Sequence, residues 1–384
     1  MNVSEGATVG PNVTHRPGMR RILLWGMAGT AFLIGALVMT LVLSQGVGIA
    51  AVLLAAAVST TVIGIVVPLF LWVDRLEAEP PRMLWFAFGW GALVATAASI
   101  ALSLLLTPVL QALGVPQDLA ASVVAAPIVE EFSKGVGVLV IFAMARREFN
   151  GVVDGIVYAG LVAIGFAFVE DIVYLARSYE LLGQSGLISL FVIRCLFTPF
   201  AHPMFTVCFG IGLGMAAHQR SARRVLTPAL GFLAAVGAHA VWNAATLTDL
   251  WVPLYFLVQF PLFLGFIWMI FWARRTEALM IRDHLTAYGM NGWFTPGEVS
   301  MLCSPARRRS ARRWAKDTYG SHGEAAMRAF QDESSELAIA RDHLQRGDHP
   351  QWWKAREQSL LTTSAQHRSL VVSTSPLPPR RSPA

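Results

Sequence analysis

The sequence predicts an all-α protein built as a polytopic membrane helix bundle. Three observations carry this. Long uncharged apolar runs recur along the first 275 residues. Charged residues make up only 14% of the chain against 55% hydrophobic, with mean hydropathy +0.53, and a soluble domain carries nearly twice that share of charge. Arginines collect where the apolar runs end, as membrane topology demands.

A helix needs about 20 apolar residues to cross a bilayer, and eight intervals qualify: 22–43, 49–73, 83–107, 119–145, 151–175, 186–215, 225–248 and 251–273. The first follows Arg20 and Arg21 and exceeds the ~7–15 residues of a signal-peptide core, so it reads as a retained span. The sixth is long and contains Pro199 and Pro203, which predicts a kink. Arg20/Arg21, Arg75/Arg82, Arg146/Arg147, Arg220/Arg223/Arg224 and Arg274/Arg275 fall at alternate junctions, with Arg177 the exception. By the positive-inside rule both termini are cytoplasmic. The expected organisation is a cytoplasmic segment 1–20, a transmembrane domain 21–275, a polar cytoplasmic tail 276–359 with helical segments, and a disordered C-terminus 360–384 rich in Ser, Thr, Pro and Arg.

Within the tail, 322–346 carries apolar residues at helical spacing. The basic run RRRSARR at 307–313 reads either as a contact to anionic lipid or as a solvated charge run. The net charge of +6 does not favour a nucleic-acid partner, because the arginines sit at span ends and in the tail. Cys195, Cys208 and Cys303 lack any ligand spacing, so the sequence supports neither a disulfide framework nor a thiolate metal site. The expected location is the cell membrane, as a multi-pass protein in contact with lipid.

The polar residues are distributed unevenly. Glu130, Glu131 and Lys134 fall in the fourth interval, Asp154, Glu170 and Asp171 in the fifth, Arg194 and His202 in the sixth, and His239 and Asn243 in the seventh. Ionisable residues inside a membrane are expensive and normally face the bundle interior, where they mark functional sites. At 1.5 Å per residue, Glu130, Glu170 and His239 lie roughly 16, 8 and 14 Å from the outer ends of their spans, and His202 lies near the middle of its own. The four can converge in the outer half of the bilayer. Glu130 and Lys134 share a helix face, as do His239 and Asn243.

This constellation suits hydrolysis of an amide bond. Lys134 limits the burial cost of the acids. Two adjacent carboxylates can divide base and acid roles. Imidazoles, directly or through a metal, polarise the carbonyl and stabilise the oxyanion. Glu170, His202 and His239 would make a three-ligand zinc site with an open fourth position, although they lack HExxH spacing. Asp171 and Arg194 read as a supporting salt-bridge pair, Asn243 as a hydrogen-bonder, and Gln259 as interhelical glue.

EEFSK at 130–134, FAFVE at 166–170, FAHPMFT around His202 and HAVWN at 239–243 together resemble the PrsW family of intramembrane proteases, within the larger clan of CAAX prenyl proteases. The four motifs occur in the family's order. The resemblance implies a protease site buried in the bundle, with Glu130 and Glu131 as base and acid, Glu170, His202 and His239 as metal or oxyanion residues, and Asn243 in support. It implies a divalent metal, zinc, and a membrane-protein substrate of the kind represented by membrane-anchored anti-sigma factors. Asp171 stands where the family often has Asn. Two other readings remain: a non-catalytic scaffold of the same clan, and a proton-coupled transporter, for which the paired repeat halves are missing. The oligomeric state is unspecified.

Overall fold

The computed structural model describes residues 19–76, 79–145, 149, 151–217, 222–347 and 350–371, and among them no strand occurs. The membrane unit comprises α1 (Met19–Ser44), α2 (Ile49–Val73), α3 (Pro81–Gly89), α4 (Thr96–Ala112), α5 (Ala126–Met144), α6 (Val152–Phe191), α7 (Ala201–Ala216), α8 (Arg223–Thr246), α9 (Trp251–Leu254) and α10 (Phe260–Met290). π-helical turns at Trp90–Ala95, Leu119–Ala125, Val192–Phe197 and Tyr255–Gln259 run directly into neighbouring helices. Helix covers most of each of the eight expected intervals. Among the described residues six helical runs are long and apolar enough to cross a membrane, so the chain is a multi-pass membrane protein. The run with Glu130, Glu131 and Lys134 is not among the six, and 152–216 counts as one run although it holds two of the intervals.

α6 is the central element. Its first half is buried on every side, from Val153 to Ala167, as expected of a helix apolar all round. α2 lays a stripe of Ala55, Val62, Val66 and Phe70 into the same core. α6 meets α7 through glycines: a methyl group on Gly155 would sit 2.1 Å from the Gly210 carbonyl oxygen. Small residues permit such backbone approach where apolar burial gives no net drive in lipid.

The helical path breaks at Gly183, where φ is 67°. A straight helix would separate Asp171 and Arg194 by roughly 35 Å, yet their side chains lie 2.5 Å apart. The chain therefore folds back at Gly183, and the segment 176–185, expected as a loop, is mostly helical. The expected kink near Pro199 is a full break: the π turn ends at Phe197 and α7 begins at Ala201.

α10 passes without interruption beyond residue 275 and enters a second helical unit with α11 (Pro296–Leu302), α12 (Pro305–Gln345) and α13 (Pro350–Val371). This unit has its own core, with Leu285, Tyr288, Phe330, Leu337 and Trp353. Thr295 and Glu298 form a reciprocal capping box at the start of α11, which satisfies orphan N–H groups. α12 covers the expected helix 322–346 up to Gln345. Two tail expectations need correction. Residues 360–371 are not disordered: they complete α13, because Leu360 and Val371 are buried in the tail core. Residues 372–384 and 1–18 lie outside the described residues. The run 307–313 is not uniformly solvated either, since Arg308 is only 3% exposed.

Candidate active site

The site forms where α5, α6, α7 and α8 meet. The backbone is fixed on either side of the cluster, once in α5 and once in the π-helical turn that leads into it. Trp90 donates its indole N–H to the Ser133 carbonyl at 3.1 Å, and Asn243 donates to the Ser122 carbonyl at 2.8 Å.

Lys134 is completely buried, and its ammonium meets three acceptors, one for each N–H. They are Glu131 Oε1 at 2.9 Å, His202 Nδ1 at 3.0 Å and Glu130 Oε2 at 3.4 Å. The ammonium also lies 4.1 Å from the centre of the Phe166 ring, a cation–π contact. Because Lys134 donates to His202 Nδ1, His202 Nε2 carries the proton and donates to Glu170 Oε2 at 2.9 Å. Arg194 then bridges Glu170 and Asp171, each at 2.5 Å.

The adjacent glutamates differ sharply. Glu131 is 1% exposed, and both its oxygens are occupied: Oε1 by Lys134 and by His239 Nδ1 at 3.1 Å, Oε2 by the Thr206 hydroxyl at 2.8 Å. The side chain of Glu130 is 12% exposed, and its one hydrogen bond among the described residues is the long one from Lys134. Its Oε2 faces both imidazoles, 3.9 Å from His202 Nδ1 and 4.0 Å from His239 Nε2. Its Oε1 has no hydrogen-bond partner among the described residues.

Ligand atoms of Glu130, His202 and His239 all lie within 4.8 Å of one another. The set expected from sequence was Glu170, His202 and His239. Glu170 is drawn away by Arg194 and backs the far nitrogen of His202, and Glu130 takes its place. The donor set fits a divalent metal in type and in support. Each imidazole is braced by a carboxylate on its other nitrogen, His202 by Glu170 and His239 by Glu131, as metal-binding histidines usually are. With neutral imidazoles and the other groups in their usual ionisation states, four carboxylates face only Lys134 and Arg194. The excess of two negative charges is what a divalent cation would neutralise. Lys134 would have to release His202 Nδ1 for that nitrogen to bind it.

Asn243 lies one turn from His239 on α8, and its amide nitrogen donates to the Ser122 carbonyl. The sequence reading missed Thr206, which lies four residues after His202 and so on the same helix face; that spacing was the available signal. It also missed Phe205, whose ring stacks on His239 with centroids 4.9 Å apart.

Residues 79–266 match the family described as PrsW family intramembrane metalloprotease. Protease PrsW of Geobacillus kaustophilus is 30% identical over 175 residues, covering 45% of this chain and 71% of that protein. The chain belongs to the PrsW family. Protease PrsW of Oceanobacillus iheyensis is 32% identical over 117 residues, 30% of this chain and 49% of that relative. No solved structure matches. The family match spans every residue of the polar cluster and stops before the tail unit.

Proposed function

We propose that the chain is an intramembrane endopeptidase that hydrolyses peptide bonds of other membrane proteins with a water activated at Glu130. The observation that carries this is the lightly held carboxylate of Glu130: among the described residues its Oε1 has no hydrogen-bond partner, its Oε2 receives only the long bond from Lys134, and that Oε2 faces two imidazoles. Its Oε1 accepts a water, draws off the proton during attack and can return it to the leaving amine. Glu131 does not share that work. It positions Lys134 and His239, and Thr206 fixes its rotamer. His202 and His239 are each oriented by a carboxylate on one nitrogen, which turns the other toward Glu130, and the Lys134 ammonium offsets part of the acids' charge.

Glu130, His202 and His239 would hold a divalent ion such as zinc, and when bound it would supply Lewis-acid polarisation of the carbonyl. The arginine-rich junctions support both termini lying in the cytoplasm, which puts the site in the outer half of the bilayer.

The test is a comparison of membrane proteomes from cells carrying either the wild-type chain or Glu130→Gln, with new N-termini mapped in both. A single-pass protein that accumulates uncut in the variant is expected, with a matching new terminus in the wild type. Identical termini in both, together with a phenotype on deleting the chain, would make the cluster structural and the protein a scaffold.

A further inference from the structure

Beside the polar cluster lies a larger apolar groove of about 340 Å³. A small polar pocket containing His202 and Arg194 shares four of its walls: Thr198, Pro199, Ala201 and Trp242. An aromatic series joins the two, from His239 through Phe205 and Trp242 to Tyr255, with successive centroids 4.9, 5.8 and 6.5 Å apart. Two π-helical turns, Val192–Phe197 and Tyr255–Gln259, flank the groove, and the Tyr255 hydroxyl ties them by donating to the Phe197 carbonyl at 2.9 Å. Irregular helix at membrane depth belongs where backbone lines a cavity.

Gln259 is in the wall of this groove. It is 2% exposed, and among the described residues neither its amide nitrogen nor its amide oxygen has a hydrogen-bond partner. Leaving a buried donor and acceptor unmade is costly, so the side chain is ill suited to act as glue between helices. An amide that both donates and accepts is the complement of a peptide group. A phospholipid ester only accepts, and an intact helix has already paired its backbone internally. The matching ligand is a polypeptide segment whose helix has opened, which is also the form that exposes a peptide bond to hydrolysis.

Resting on the protease reading, we infer that Gln259 is a substrate-positioning residue, pairing with the backbone of an unwound substrate segment laid along the groove toward Glu130. The groove's apolar walls, with Phe256 and Phe260 at its rim, would take the substrate's side chains.

The test pairs stability with turnover in the full-length protein. Gln259→Leu and Gln259→Met remove the amide at similar volume. New N-termini dependent on Glu130 are quantified in membranes carrying wild type, Glu130→Gln and each Gln259 variant, and thermal unfolding is followed on each purified full chain in detergent. The expected result is unchanged or raised thermal stability with about tenfold fewer Glu130-dependent termini, the factor that corresponds to one lost hydrogen bond. Lowered stability in both variants would mean that Gln259 is structural and would overturn the inference. Preserved stability with undiminished termini would also overturn it and leave the groove to lipid. If wild type and Glu130→Gln share the same termini, the protease reading fails first and this inference goes with it.

Discussion

Two buried cations, one in each unit of the molecule, are satisfied in opposite ways. In the tail, the guanidinium of Arg308 donates to the carbonyls of Leu302 and Leu76 and to the Ser335 hydroxyl. All three acceptors are neutral. Burial, only partly countered by the charge of Asp332, pushes its pKa down to about 10. The residue pins α12 to the segment after α2. In the membrane unit, Lys134 is held by two carboxylates and an imidazole, and the surrounding acids outnumber the cations. A cluster whose charges balanced would need only to be packed. One with surplus acid and an unpaired carboxylate oxygen has something left with which to act on a substrate. The comparison therefore predicts that disturbing the first cation affects stability alone, whereas disturbing the second cluster separates stability from activity.

The largest effect is expected at the glutamate pair. Glu130→Gln should lower the yield of Glu130-dependent termini by roughly 10²–10⁴-fold, the usual contribution of a general base, with thermal unfolding unchanged. Glu131→Gln should lower both, because an amide cannot accept from Lys134, His239 and Thr206 together. Equal behaviour of the two variants would sink the division of roles.

Next in size is Lys134→Met, which leaves Glu131 buried without its counter-ion. Breaking a buried pair from one side costs about 3–5 kcal/mol, so this variant should unfold at markedly lower temperature in detergent. The double variant Lys134→Met with Glu131→Leu should recover part of that loss while remaining inactive. No recovery would mean that the cost lies in packing and not in charge.

The difference between the two units also explains what could be read from the sequence. Membrane helices were legible because hydrocarbon tolerates only long apolar runs, and the polar residues stood out against them as a cluster. Their partners were less legible. Glu130 and Glu131 are adjacent, and no periodicity says which one Thr206 and His239 will occupy. Glu170 matched a metal ligand by type and depth, yet the fold-back at Gly183 brings Arg194 onto it, a tertiary event without local signature. The tail was harder still. Its pattern predicted helix in 322–346, but the Ser- and Thr-rich composition after 360 concealed that Leu360 and Val371 complete a core. Arg308 looked like its exposed neighbours because burial of one member of a charge run depends on what packs over it.

A smaller effect is expected at Arg308. Arg308→Met should destabilise the tail by about 1–3 kcal/mol, since the acceptors left behind are buried without donors. Limited proteolysis should cut α12 and α13 faster, while Glu130-dependent termini, normalised to intact protein, stay constant. Loss of activity in step with the tail would instead show that the tail holds the site together.

The smallest effect tests the electrostatics of the tail by pH. Burial pushes the Asp342 carboxyl up, but a hydrogen bond from His284 and the nearby charge of Arg346, whose Nε lies 2.8 Å away, outweigh it and hold the pKa below the usual carboxylate value of 3.8. A group depressed in this way stabilises the fold above its unfolded pKa, and the contribution is lost as pH falls through the folded one. Asp342→Asn should therefore cost less than about 1 kcal/mol at pH 7, in line with a partly exposed pair. The deficit relative to wild type should shrink as the pH is taken below 3.8, and thermal unfolding of both chains in detergent at pH 7 and at acid pH reads it directly. A deficit that stays constant with pH would assign Asp342 to packing. One that disappears would place it, unlike Arg308, among tail contacts that depend on carrying charge.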